Sequence, residues 1–294
     1  MKPSAVPASA IDPREDEPVH VVATIFALGD LARQVGGKYA EVEWVIEGGR
    51  SLEGFEPSRE MRERIGRAEL VVAGGADEPW AVAEAPSGLA AQRMLRLDTL
   101  QLPAPSAARS SSAGDGSAPP GQAVGLPWLD PRVLSEAVDA VCERLVVLRP
   151  RHDVYFRSRA QRLKQELDLI TDSHADELAR LSRRRVLALT YEFDRLTARM
   201  GVGVTRPVVG SVDRLSDGQI GELRSAVRRE QLPVLLVRAD TPPALIADLS
   251  QRTGARVFTI DPYGSSASDS GRATVQEFLR YNLGQLVEAV KATQ

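Results

Sequence analysis

Three histidines, one cysteine and a set of carboxylates bound the chemistry open to this 294-residue chain. His20, His152 and His174 are scattered and form neither an H-x-x-x-H nor an H-x-x-E-H spacing, so no histidine-only metal site can be read from them. Cys142 stands alone in the apolar run AVDAVCERLVVL, which excludes an internal disulfide or a cysteine metal site and reads as a core thiol. No G-x-G-x-x-G follows the first strand, and neither G-x-x-x-x-G-K-[ST] nor G-x-S-x-G occurs, so nucleotide and serine-hydrolase chemistry lack their motifs. Paired carboxylates such as Glu53 and Asp261 could in principle do acid–base work, but no nucleophile or histidine accompanies them. No enzyme is expected.

The elements that must position any site follow from hydrophobic periodicity. HVVATIF (20–26) reads as a strand buried on both faces, LGDLARQVGG (28–37) as a helix, AEVEWVIEG (40–48) as a strand, PSREMRERIGRAE (57–69) as a helix and LVVAGG (70–75) as a strand. Two helices follow, PRVLSEAVDAVCERLVVL (131–148) and an unbroken segment from about Asp153 to Ser182, roughly 40 Å long at 1.5 Å per residue. Alternation then resumes with strands at 185–190, 205–210, 233–240 and 256–261, helices at 194–201, 216–231 and 241–254, and a last helix from about Ala273. Such alternation implies parallel sheets wrapped by helices.

The expected fold class is therefore α/β, two doubly wound lobes joined by one long rigid helix. Its expected divisions are a disordered leader (1–18), a first lobe (19–150), a linker helix (151–183) and a second lobe (184–294). Residues 103–124, rich in Pro, Ser, Ala and Gly, read as a disordered loop of the first lobe. Open sheets bind ligands beyond the carboxyl ends of their strands, which directs attention to Glu47–Glu56, Thr190–Asp194, Arg238–Asp240 and Asp261–Gly264.

Composition narrows the partners. Hydrophobic residues are 43% and charged residues 26%, ordinary for a globular protein, and a net charge of −3 leaves no electrostatic footprint for nucleic acid. The clusters RSRAQR (157–162) and RRR (183–185) are followed by acidic residues and read as solvated helix faces. No run approaches the roughly 18 apolar residues of a membrane span. The opening MKPSAVPASAIDPREDEP lacks the apolar core of a secretory signal, which leaves a mature form, a start assigned too far downstream, or a cytosolic chain.

Several ordered motifs, VVATIFALGDLARQVGG, the Phe-Glu-Pro loop, LVVAGGADEPW, PWLDPR, the single long helix, RVFTIDPYG and FLRYNLGQLVEAV, together resemble the zinc- and manganese-binding solute-binding proteins of metal ABC transporters. The resemblance is collinear over about residues 20 to 290. It implies a two-lobed periplasmic or otherwise extracytoplasmic protein, expected as a monomer, that captures a divalent metal in its cleft and hands it to an ABC transporter permease. The family's site usually combines three histidines, or two and a glutamate, with an acidic residue near the C-terminus. At the corresponding positions this chain has Glu53 in place of the histidine of H-x-F-E-P, Leu126 two residues before the W-L-D-P motif, Thr190 three before Phe193, and a retained Asp261.

Leucine cannot coordinate a cation and a threonine hydroxyl is a weak donor, so a set built on Glu53 and Asp261, with Thr190 and Glu192 beside it, favours harder ions over zinc. No cofactor is expected beyond one divalent cation, zinc or manganese. Glu56 and Asp130 read as helix caps rather than ligands. Arg50, Arg206 and Arg238 leave two further readings open. They hold a small anion bidentately, or they pair with Glu53, Asp240 and Asp261 across an empty cleft. A member that has lost metal and serves as an accessory interaction protein stands as the alternative.

Overall fold

The computed structural model describes residues 15–46, 55–75, 78, 93–100, 125–265 and 271–294. Two four-stranded sheets, every pairing parallel, form the two lobes. The first contains β1 (Val19–Ile25), β2 (Ala40–Ile46), β3 (Leu70–Ala73) and β4 (Met94–Arg96) in the order β2-β1-β3-β4. The second contains β5 (Arg185–Ala188), β6 (Gly203–Thr205), β7 (Val234–Arg238) and β8 (Arg256–Ile260) in the equivalent order β6-β5-β7-β8. Central strands β1 and β7 are almost wholly buried, as their continuous apolar runs require when helices cover both faces.

Helices α1 (Phe26–Gly36) and α2 (Arg59–Arg67) serve the first sheet, and α3 (Pro131–Leu148) precedes the long α4 (Asp153–Ala179). In the second lobe α5 (Asp194–Arg199), α6 (Asp217–Glu230) and α7 (Pro243–Thr253) alternate with strands, and α8 (Val275–Lys291) closes the chain. The 27 residues of α4 bury Phe156, Ala160, Leu163, Leu167, Ile170 and Leu178, a stripe at three- and four-residue steps that keeps the helix against one continuous core. That core takes residues from both lobes, while a smaller apolar cluster around Leu187, Leu235 and Leu249 lies within the second.

Most boundaries fall within two or three residues of expectation. The strand expected at 205–210 instead occupies Gly203–Thr205, because Pro207 ends ladder pairing and Arg206 turns inward. Strand β4 was not anticipated, since MLR is too short to show a period. The C-terminal part of the expected leader is anchored: the Glu17 carbonyl accepts from Arg149 Nε at 2.9 Å, and the Glu15 carboxylate accepts from the Arg151 amide at 3.4 Å. Residues 1–14 and the expected loop 103–124 lie outside the described residues.

Among the described residues, several contacts join the lobes, three of them through the buried side chains of Asp130, Trp128 and Asp30. The buried Asp130 carboxylate caps α3 through the Arg132 amide (3.0 Å) and forms a two-pronged ion pair with Arg199 of α5, both contacts at 2.8 Å. Trp128, fully buried, donates its indole N–H to the Pro262 carbonyl. On the other side, buried Asp30 of α1 accepts the Val275 amide at 2.7 Å and so satisfies the first turn of α8.

Candidate functional site

Both sheets reverse their strand order around their first strand, which puts a crevice beyond the carboxyl ends of β5 and β7 in the second lobe. Leu189, Thr190 and Glu192 enter it after β5, and Arg238 and Asp240 at the end of β7. The loop after β6, Val209 to Leu215, closes one side of a cavity of about 910 Å³. Asp261 and Tyr263 follow β8 on the next strand of the same sheet.

Arg238 organises this end of the lobe. Its guanidinium donates to Asp240 at 3.0 and 2.7 Å, to Glu192 at 2.9 Å and to the Tyr263 hydroxyl at 3.4 Å, and it lies over the Tyr263 ring at 5.2 Å. Burial works to lower its pKa, but the Asp240 hydrogen bonds and the Glu192 charge outweigh burial and hold it above the ordinary arginine range. The side chain is 19% exposed, so the cation faces the cavity from a fixed seat.

Asp261 is buried and its carboxylate is engaged on both oxygens. Oδ1 accepts the amides of Tyr263 (2.9 Å) and Gly264 (3.0 Å), and Oδ2 meets Arg272 at 3.1 Å. Asn282 of α8 clamps the same residue's backbone, accepting its N–H at 2.7 Å and donating to its carbonyl at 2.9 Å. The Thr190 hydroxyl accepts the Glu192 amide at 3.1 Å, while the Thr190 carbonyl accepts from Arg206 Nε at 2.9 Å. Arg206 is buried, pairs with Asp194 and stacks over Tyr191 at 4.7 Å. Burial brings its pKa down to about 10, which leaves it protonated at neutral pH.

Thr190 and Glu192 after β5 and Asp261 after β8 thus lie at the same end of one sheet with β7 between them, and Glu192 and Asp261 are linked through Arg238 and Tyr263. Glu53 and Arg50 lie outside the described residues. Leu126 is buried in the core, and its amide donates to the Glu192 carbonyl at 3.0 Å, so the first lobe closes directly onto the 190–195 loop there. Gly125 permits that approach: its φ of +104° is a glycine conformation, and a Cβ would come within 2.9 Å of the Arg195 amide. Of the pairings expected for the arginines, Arg238 with Asp240 is present, whereas Asp261 takes Arg272 and Arg206 takes Asp194.

Among the described residues no three His, Cys, Asp or Glu side chains gather as a metal cluster. Each histidine has a local role. His20 meets Glu43 at 2.8 Å, His152 stacks on Tyr39 at 3.6 Å, and His174 contacts the Ile170 carbonyl one turn back at 2.7 Å. Asp130 caps its helix as anticipated, but Glu56 is exposed and Ser58 caps α2 instead, accepting the Met61 amide at 3.2 Å. Arg272 and Asn282 were missed by sequence reasoning, and Tyr263 was covered only as part of the strand-end stretch Asp261–Gly264. Only the Tyr in IDPYG and the Asn in RYNLG stood inside motifs already singled out.

Comparison with known proteins gives a consistent result. The family described as ZnuA, zinc-uptake complex component A periplasmic, matches residues 21–289. No curated protein matches. Among solved structures, the Zn(II)-bound ZnuA-like domain of AdcA from Streptococcus pneumoniae superposes with a TM-score of 0.74 at 20% identity, covering 93% of this chain and 99% of that one. The periplasmic zinc-binding protein TroA of Treponema pallidum gives 0.72 at 18%, with 93% and 99% covered. The laminin-binding protein Lmb of Streptococcus agalactiae, described as an adhesin with metal-transporting activity, gives 0.72 at 21%, with 92% and 99% covered.

Proposed function

This chain belongs to the family of periplasmic zinc-uptake components, and on that premise we propose that it works through a histidine-poor cleft in which carboxylates, neutralised by arginine at rest, take a divalent cation. Members of the family are solute-binding components of zinc and manganese ABC transporters and are not enzymes. The partners that follow are a transporter permease and a divalent ion, with the protein acting as a monomer outside the cytoplasmic membrane. No described helix is long and apolar enough to cross a membrane.

The observation that supports this reading is the placement of Thr190 and Glu192 after β5 and of Asp261 after β8 at the carboxyl end of one parallel sheet, on either side of β7 and its Arg238. That set, like Glu53, the further residue expected from the sequence, offers oxygen donors only. Oxygen sets suit manganese and other hard ions better than zinc, and water would fill the remaining positions. A cation entering here exchanges with the Arg272 and Arg238 guanidiniums, which lowers its affinity.

One observation favours a second reading. Both described carboxylates of the set already have an arginine partner, Glu192 with Arg238 and Asp261 with Arg272, an arrangement that also suits a member without metal cargo. An anion clamp is the weaker form of that alternative, because at least four of the five N–H donors of Arg238 are spent on Glu192, Asp240 and Tyr263. Metal analysis separates the two. Protein equilibrated with Mn²⁺ should retain about one ion per chain, and Asp261→Ala should retain less. A chain that takes up no Mn²⁺ or Zn²⁺ at millimolar concentration would establish the metal-free reading.

A further inference from the structure

We infer that Arg238 is the resident cation of the second-lobe crevice and sets the affinity and selectivity of the site by competing with the incoming ion; this deepens the cation-binding reading above and rests on it. A divalent ion and a guanidinium satisfy carboxylates in the same way, by delivering positive charge to their lone pairs. Arg238 does this for two side chains from different loops, Glu192 after β5 and Asp240 after β7.

Its position is built rather than incidental. It ends a central, buried strand whose neighbours β5 and β8 carry the other candidate residues, and its guanidinium is flanked by the Tyr263 ring and hydroxyl. The two-pronged contact with Asp240 fixes the plane of the group, and the third contact aims it at Glu192. Asp240 and Glu192 side chains are 26% and 24% exposed, so both face the cavity and a solvated ion can reach them. Thr190 and Thr241 line the same cavity and offer neutral oxygens.

The consequence is competitive. A divalent ion bound by Glu192 and Asp240 would stand beside a fixed positive charge, and neither carboxylate can turn fully toward the ion without breaking a charge-assisted hydrogen bond. Removing the guanidinium releases both. Lysine does not reproduce this arrangement, since an ammonium lacks the planar fork that spans two carboxylates at once. Arg272 plays the corresponding part for Asp261, but that carboxylate is also tied to two backbone amides and is less available for exchange.

The test is calorimetric titration of the full chain with Mn²⁺, comparing wild type with Arg238→Gln, Arg238→Lys and the double variant Glu192→Gln/Arg238→Gln, each checked for a cooperative melt. Arg238→Gln should bind Mn²⁺ at least about tenfold more tightly than wild type. Arg238→Lys should fall between the two, and the double variant should lose the gain. A folded Arg238→Gln protein whose Mn²⁺ affinity equals or falls below that of wild type overturns the inference, as does a gain that survives Glu192→Gln. Should Arg238→Gln fail to fold, Arg238→Lys carries the test: its Mn²⁺ affinity should exceed that of wild type and the gain should vanish in Glu192→Gln/Arg238→Lys, and an Arg238→Lys affinity equal to or below that of wild type refutes the competition. Absence of any Mn²⁺ binding by wild type, with binding present in Arg238→Gln, would instead reject the cation-cargo reading while leaving the competition intact.

Discussion

Asp130→Ala removes the ion pair that ties the segment before α3 to the second lobe, and its cost can be worked from the geometry. Asp130 is fully buried and Arg199 retains 19% of its side-chain exposure. Breaking a buried pair by deleting one partner costs about 3–5 kcal/mol, and the partial exposure of Arg199 puts this pair at or below the low end. Asp130 also caps α3 through the Arg132 amide, worth about 1 kcal/mol. The sum is about 3–4 kcal/mol, which in urea corresponds to a midpoint shift of about 1 M at a slope of about 3 kcal/mol/M. Arg199→Met keeps the cap but leaves the carboxylate buried without its guanidinium, and should cost about 1 kcal/mol less. The double variant should then show a coupling energy of about 1–3 kcal/mol. Equilibrium urea unfolding followed by circular dichroism measures all three. A midpoint for Asp130→Ala within about 0.2 M of wild type, or strict additivity in the cycle, would refute the claim that this pair joins the lobes.

Other outcomes follow from particular contacts. Gly74→Ala should destabilise by about 2–4 kcal/mol in the same assay, because a Cβ there would run into the ring of Trp128, which is fully buried and has no room to retreat. Burial pushes the Cys142 thiol up to about 11, so native protein should react slowly with iodoacetamide at pH 8 and at the ordinary thiol rate once unfolded. Its proton is held more tightly in the folded chain than in the unfolded one. Stability should therefore fall between about pH 9 and pH 11 relative to Cys142→Ala, measured as the difference in urea midpoint. A constant difference across that range would contradict the burial argument.

Much of the fold was legible because its signals are local and redundant. The run HVVATIF reads as a doubly buried strand, the Asp130–Pro131 pair announces a helix start, and the unbroken stripe of α4 fixes a helix near 40 Å. The site was legible as far as strand-end position allowed, which is why Thr190, Glu192, Arg238 and Asp261 were named before their surroundings were known. Partner choice was not. Asp261 finds Arg272, eleven positions later in sequence, and Asn282, twenty-one later, through the turn of α8 back onto β8. No periodicity encodes such pairs. Glu56 was misjudged for a related reason, since Ser58 is two residues closer to the helix start and reaches the Met61 amide first.

The most direct measurement is a competition titration of chelator-treated protein with Zn²⁺ and Mn²⁺ against an indicator of known affinity. An oxygen-donor cleft restrained by arginine predicts one weak site, about micromolar or poorer, with little or no preference for zinc. A single zinc site that holds its metal against the chelator would require nitrogen donors and would contradict the account.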